Sequence, residues 1–440
     1  MLKTLAAQAL RLADATRAVQ QALGAAPLAG PVRILAIGKA ALPMWQGADA
    51  VLGAQVRAGL VIQPDSGAHV RSSLTPSRPY PFHCLTGAHP LPDARSLAAG
   101  AAAQQFVSAC APDETLLVLL SGGASALCEV LPDDLRLEAF QALQQLMLAS
   151  AWPISAINAV RQRLSRIKAG GLLRCCPPTT LIRQLLLSDV PGDDPAVIGS
   201  APFVPAVLPL PDWRDLPAPW PAFLQRWLAS PVPAVDTDVT RVTSTIIASN
   251  AHVRAGLQQW AAANGHAVIV NRAIAGDCAE VAAALAAEIS AGPPGLYLYG
   301  GETHLQLPVQ PGRGGRNQHL ALLLQQALVQ NMEAAACRAS SWQAQACSVL
   351  TLATDGVDGN SDAAGAWFRL DPDAPVQAHA KAAAVTGASC SSADAATALR
   401  DASSYDYWRQ QGGLLFTGAT GSNVADLVLC WKSDHRVASH

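Results

Sequence analysis

From about residue 30 the chain alternates short apolar runs with glycine-containing turns and stretches of helical periodicity. RILAIG (33–38), AGLVIQ (58–63), TLLVLL (115–120) and LIRQLLLS (181–188) are largely continuous rather than alternating. Strands apolar on both faces need cover on both faces, so this half predicts a Rossmann-like, mostly parallel sheet between helices. Ligands of such sheets sit beyond the carboxyl ends of the strands, which directs attention to the residues after each run.

Residues 201–235 carry nine prolines. Proline removes backbone donors and restricts its neighbour, so this segment is the expected boundary between an N-terminal domain, 1–235, and a C-terminal domain, 236–440. Beyond it the runs resume as TSTIIASN, HAVIVNRAI, GLYLYGGE, HLQLPV, SVLTLATDG, LLFTG and DLVLCW. That density of strands predicts a second α/β domain with a mixed sheet, and the glycine pair 300–301 predicts a hairpin there. No repeat of fixed period is present. The opening stretch, MLKTLAAQALRLADATRAVQQAL, is broken by Lys3, Arg11, Asp14 and Arg17 and reads as an amphipathic helix.

Composition narrows the function. Of 440 residues, 50% are hydrophobic and 14% charged, which supports a sizeable core in two or three domains and argues against disorder. A net charge of −2 with no long basic run gives no support for nucleic acid as partner. No long uncharged apolar span argues for a membrane. The ten cysteines contain no CxxC and read as reduced, buried thiols of a cytoplasmic protein.

Candidate chemistry follows the runs. Lys39, after Gly38, is either a solvated turn lysine or a hand for a phosphate or carboxylate. SGGASAL brings Ser121, Gly122, Gly123 and Ser125 to what reads as a helix N-terminus, suited to an anion or simply a tight turn. Residues 154–171 read as one helix with Ser155 as N-cap; Asn158, Arg161, Ser165 and Lys168 form a polar stripe along it, either a wet face or a cleft wall. SDVPGDD places Asp189 at a strand end, where a carboxylate takes a hydroxyl proton, holds a divalent cation or caps a turn.

In the second half, Glu302 lies at a turn, and Arg313 and Arg316 lie in a glycine-rich loop before a helix, where a guanidinium fork suits phosphate or carboxylate. LATDGVDGNSDAAG follows a run with Asp355, Asp358 and Asp362, whose spacing does not match an EF-hand but leaves magnesium with phosphates, or turn chemistry. TGATGSNVADL reads as another strand–glycine–hydroxyl–helix junction. There is no GxxxxGK[ST], no GxGxxG after the first run, no GxSxG and no paired-histidine zinc motif. Anion-ready turns, cations and strand-end aspartates together suggest phosphoryl transfer to a small acidic substrate.

AIGKAA, GAHPLPDARS, LLSGGASAL, INAVRQRLSRIKAGGL, LLLSDVPGDDPAVIGS, GGETHLQL…GRGGRNQHLAL, ATDGVDGNSDAAGA and TGATGSNVADL occur in this order between about residues 30 and 430. The set resembles the class II glycerate kinases, the glycerate 2-kinase family with a leucine-rich C-terminal region, whose members were often labelled hydroxypyruvate reductases. The resemblance implies ATP- and Mg²⁺-dependent phosphorylation of D-glycerate on its C2 hydroxyl, in a cleft between two α/β domains. It implies Lys39, Arg316 and Asp189 as catalytic residues and Asp189 and Asp355 as metal ligands. Glu302, Asn317 and Asp355 become nucleotide contacts; Ser121–Ser125, Asn158, Arg161 and Lys168 become substrate or phosphate contacts. A small hydroxy acid is the implied partner, and a homo-oligomer is compatible with it. The alternatives are an NAD(P)H-dependent hydroxypyruvate reductase and a non-catalytic binder of a hydroxy acid or nucleotide. The chain departs from the family pattern at Ala169–Gly171, Gly199–Phe203, His319 and the GATGSN turn.

Overall fold

The computed structural model describes residues 1–65, 79–149, 152, 154–210, 238–336, 345–371 and 392–434. Two compact units emerge, one of Ala15–Ala248 and one of Met1–Asp14 with Ser249–His440. The boundary expected at 235 lies outside the described residues. The opening stretch forms two helices, Leu2–Leu12 and Ala15–Ala25, rather than one, and the first of them goes with the second half of the chain. At the break the Ala13 carbonyl accepts from the Ser422 hydroxyl, a tertiary contact that an unbroken helix would forfeit.

The unit Ala15–Ala248 holds β1 (Val32–Ile37), β2 (Val56–Pro64), β3 (Phe82–Gly87), β4 (Thr115–Leu120), β5 (Leu181–Ser188) and β6 (Val242–Ser249). Their order is β3-β2-β1-β4-β5-β6, and β3–β2, β2–β1, β1–β4 and β4–β5 pair in parallel. Leu35, Ile37, Leu60, Ile62, Val118 and Leu120 pack with Ala99, Ala103 and Val107 of the helix Ala94–Ser108. Each such leucine, isoleucine or valine contributes about 1.5–3 kcal/mol on burial, so their sum outweighs local turn preferences and the apolar runs become strands as expected. Strand β3, FHCLTG, was not among those runs because His83 and Thr86 interrupt it.

The other unit orders β7 (Val268–Asp277), β8 (Gly295–His304), β9 (Gln345–Ala353), β10 (Gly365–Leu370), β11 (Leu414–Leu415) and β12 (Asp426–Asp434) as β11-β10-β9-β12-β8-β7. Only the β7–β8 pairing is parallel, so the sheet is mixed. Helices Cys278–Ala291 and Arg316–Ala336 supply Val281, Leu285, Leu320 and Leu324 to its core. Together the two sheets with their helices make a two-part α/β fold.

Four local expectations fail. There is no hairpin at Gly300–Gly301, because β8 runs through both. A Cβ on Gly300 would lie 2.1 Å from Asn250 Oδ1 and one on Gly301 2.0 Å from the Ile274 carbonyl, so these glycines serve close packing. HLQLPV leaves the sheet after His304, and TGATGSN leads into β12 rather than a helix. The helix predicted over 154–171 stops at Arg163. Beyond it Arg166 N donates to the Val130 carbonyl, Ile167 N to Ser165 Oγ and Ala169 N to the Ser200 carbonyl, bonds that replace the helical ladder. No described helix is long and apolar enough to cross a membrane, and the eight described cysteines are free.

Candidate active site

In the parallel sheet the chain moves outward one way through β1, β2 and β3 and the other way through β4 and β5. The switch lies between β1 and β4, where such sheets open to ligands. The two turns there are pinned together. Ser121 N donates to the Ile37 carbonyl (3.1 Å), Lys39 N to the Gly122 carbonyl (2.8 Å) and Ala40 N to Ser121 Oγ (3.0 Å). Gly38 has φ +132°, and a Cβ on it would fall 2.2 Å from Ser121 Oγ. Ser121 is fully buried, so its hydroxyl is occupied by the turn rather than offered to a ligand.

This clamp presents the side chains around it. The half-buried Lys39 runs its stem along Gly123, where a Cβ would lie 3.2 Å from Lys39 Cγ. Among the described residues its ammonium makes no ion pair. On the same glycine a Cβ would lie 3.2 Å from His89 Cδ2, and a Cβ on Gly122 would lie 2.0 Å from Asp189 Oδ2. Lys39, His89 and Asp189 thus surround one two-glycine turn, and only residues without a side chain fit there.

Arg161, whose Nε donates to Gln144 Oε1 at 2.7 Å, adds a second cation without a direct carboxylate partner among the described residues. Burial draws its pKa down and nearby Glu129 opposes that. His89 is pushed down to about 4, first by desolvation and then by Lys39 and Arg161, so it is neutral at physiological pH. Ser125 pairs with Ser200, 2.9 Å between hydroxyls. The helix that follows Gly123 is a single turn, Ala124–Leu127, too short to supply much macrodipole.

The expected polar stripe divides. Asn158 is buried on the helix Ile154–Arg163, and Lys168 is not at a ligand surface: its ammonium pairs with Glu129, with side chains 2% and 0% exposed, and Ser165 donates to the same carboxylate. The stripe reading fails because residues past Arg163 are folded inward by that buried carboxylate. Two of the departures from the family pattern meet here. Ala169 N donates to the Ser200 carbonyl and Gly170 N to the Ala201 carbonyl, and Ala169, Ser200 and Ala201 all adopt positive φ without being glycine.

The second cluster lies in the other unit. Arg316, first residue of its helix, donates from Nε to Asp426 Oδ2 (2.6 Å) and reaches Glu302 Oε1 from Nη1 (2.5 Å). Burial opposes its charge, but the two carboxylates outweigh that and hold its pKa above the usual guanidinium range. Asp426 is driven up to about 6 by burial against the pull of Arg316. Asp358 accepts from Asn317 N (3.0 Å) and Gln318 N (2.8 Å), so it caps the helix Arg316–Ala336 and fills the position an anion would take. Asn317 is buried with its amide 3.4 Å from the same carboxylate.

Asp355 forms a local turn, its Oδ1 accepting from Val357 N at 3.1 Å. Arg313 pairs with Asp362 at 2.7 Å and lies 3.8 Å over the Tyr405 ring. Lys39 therefore belongs to one unit and Arg316 to the other. His89, Glu129 and Asp426 were not singled out in the sequence, whereas Asp358, read there with Asp355 and Asp362 as a magnesium or turn acid, caps a helix. His89 sits in the quoted GAHPLPD stretch, and its meaning was hidden because the strand before it was not read as one.

Residues 1–215 match the domain of unknown function DUF4147, and residues 295–426 match the MOFRL family. The chain is 31% identical to a glycerate kinase of Bos taurus across 89% of this chain and 83% of that protein. It is 26% identical to a glycerate 2-kinase of Pyrococcus horikoshii across 98% and 97%. A crystal structure of a glycerate kinase from Thermotoga maritima superposes with a TM-score of 0.77 at 26% identity, covering 98% of this chain and 99% of that one.

Proposed function

The chain belongs to the class II glycerate kinase family, and we propose that it transfers the terminal phosphoryl group of ATP to the C2 hydroxyl of D-glycerate, giving 2-phosphoglycerate. The observation that carries this reading is Lys39 at the switch point, without an ion pair among the described residues, beside a two-glycine turn that allows close approach and opposite the Asp189 carboxylate. Phosphoryl transfer asks little covalent chemistry of a protein; it asks for placed positive charge, a metal and a group that orients the hydroxyl.

Lys39 neutralises the migrating phosphoryl oxygens, and Arg161 attracts the substrate carboxylate. Asp189 orients the C2 hydroxyl and accepts its proton. Mg²⁺ needs only one or two protein carboxylates beside the nucleotide phosphates, and Asp189 in one unit and Asp355 in the other are each oxygen donors of the kind it takes. When bound it would neutralise phosphate charge. Arg316 has Nε and Nη1 engaged by carboxylates, leaving Nη2 without a partner among the described residues, and we assign that nitrogen to a phosphate oxygen. Glu302 and Asn317 hold Arg316 and its helix in register for the nucleotide.

The reductase alternative draws on the strand order, which is that of dinucleotide-binding sheets. Against it, the amides of Lys39 and Ala40, which would have to face a pyrophosphate, are already engaged by Gly122 and Ser121. A coupled assay of ADP release over D-glycerate, L-glycerate and tartronate, with a parallel arm following NADH and hydroxypyruvate without ATP, decides between them. ADP release with D-glycerate supports the kinase; NADH oxidation alone overturns it; binding by calorimetry without any product identifies a non-catalytic member.

A further inference from the structure

His89 has no role in the site as assigned so far, yet its placement is tightly determined. It follows β3 on a loop fixed at both ends. Gly87 abuts the Leu127 carbonyl so closely that a Cβ would lie 2.1 Å away. Ser96 Oγ, fully buried, accepts from Ala88 N at 3.0 Å and Asp93 N at 3.3 Å. Asp93 in turn caps the helix Ala94–Ser108 through Arg95 N and Ser96 N, and Gln141 Nε2 holds the Pro92 carbonyl at 2.8 Å. A loop anchored at Gly87, Ala88, Pro92 and Asp93 delivers residue 89 to one position.

That position lies against Gly123. A Cβ on Gly123 would lie 3.5 Å from His89 Nε2 and 3.2 Å from Lys39 Cγ, so ring and lysine stem flank the same Cα. His89 is exposed, and among the described residues neither ring nitrogen has a hydrogen-bond partner. The charged groups that face it are Lys39 after β1 and Arg161 on the helix Ile154–Arg163, with Asp189 across the glycine pair. An imidazole held against two cations with a free nitrogen is poised to share whatever anion those cations attract.

We propose that His89 is a third anion-contacting residue of this site, donating a ring N–H to a substrate oxygen held by Lys39 and Arg161. The inference rests on reading the switch point as the substrate site, and it adds a residue that the proposed chemistry does not require. The oxygen belongs either to the hydroxy-acid carboxylate or to a nucleotide phosphate, and the two sources separate in the test. The imidazole pKa is depressed first by burial and then by Lys39 and Arg161, and an anion placed among them offsets the cationic part, so the imidazole pKa should climb when the site fills.

The test uses ring-labelled histidine in the full-length protein, with H89N identifying the His89 resonance. Its titration is followed free, with D-glycerate alone and with Mg–ADP alone, occupancy being set by calorimetry. The expected result is a rise of about one pH unit or more with one ligand, which names the oxygen's source and corresponds to roughly tenfold tighter binding to the protonated ring. In parallel, H89A should raise KM for that ligand about tenfold, more than it lowers kcat, with H89N recovering part of the loss through its amide N–H. A titration unmoved with both ligands bound, or calorimetry showing that neither ligand binds, overturns the assignment. An unmoved titration with turnover intact removes His89 alone, whereas failure of ADP release removes the kinase reading itself.

Discussion

Gly122→Ala offers a sharp probe of the site, because the structure fixes how far it reaches. The new methyl would stand 2.0 Å from Asp189 Oδ2, whereas an ordinary carbon–oxygen contact needs about 3.3 Å. The carboxylate must therefore recede by about 1.3 Å. A displacement of about 1 Å in a reacting group costs on the order of 10²-fold in rate, so kcat/KM for D-glycerate should fall about 10²-fold. The group in the way is a short side chain at a partly exposed strand end, not backbone, so Tm should move by only a few degrees. Gly38→Ala differs: there the methyl meets the Ser121 backbone at 2.6 Å as well as its hydroxyl, and folding itself should suffer. The assay is coupled ADP release alongside thermal melting, repeated in an Asp189→Ala background. If the effect runs through Asp189, Gly122→Ala adds less than about threefold there, since groups acting as one are non-additive. An undiminished second loss, or activity within threefold in the single variant, would refute the placement of Asp189 at the reacting hydroxyl.

Lys39→Ala should lower kcat/KM by about 10²–10³ with its circular dichroism unchanged, the loss typical of one preorganised charge contact; a loss below tenfold removes it from the mechanism. Asp358→Ala leaves the Asn317 and Gln318 amides buried without an acceptor, at about 1–3 kcal/mol each, partly offset because burial already raises the Asp358 pKa. A net loss of about 2–4 kcal/mol in urea unfolding is expected, and a neutral outcome would contradict the capping role. His89 titrates near 4 in the folded chain against about 6.5 unfolded, so its neutral form is fully accommodated above pH 6.5 and stability declines as pH falls from 6.5 towards 4. His89→Asn should blunt that decline by up to about 1 kcal/mol, once screening at an exposed ring is allowed for, as read by melts across that window.

The sheets were legible because their strands are apolar wherever they are covered. RILAIG, TLLVLL and LIRQLLLS are continuous apolar runs, and the turn residues they deliver, Lys39, Gly122 and Asp189, meet around one turn. What escaped notice depends on distant partners. Helix 154–171 has helical periodicity throughout, but Glu129 draws Ser165 and Lys168 inward from 36 and 39 residues away, and no local pattern records that. The glycines at 300 and 301 resemble a turn pair because turns and close approach demand the same missing Cβ. Asp358 reads as a magnesium or turn acid and Asp426 as an ordinary strand-end acid until the helix that begins at Arg316 is set against them. His89 stood in plain view, but its neighbours Lys39 and Arg161 lie 50 and 72 positions off, and only the fold joins them.

The most direct test of the account is the identity of the product. Incubated with ATP, Mg²⁺ and D-glycerate, the protein should yield a phosphate ester whose ³¹P signal couples to the single C2 proton, as in 2-phosphoglycerate. Coupling to the two C3 protons, or no ester at all while Lys39 and Asp189 stand intact, would contradict it.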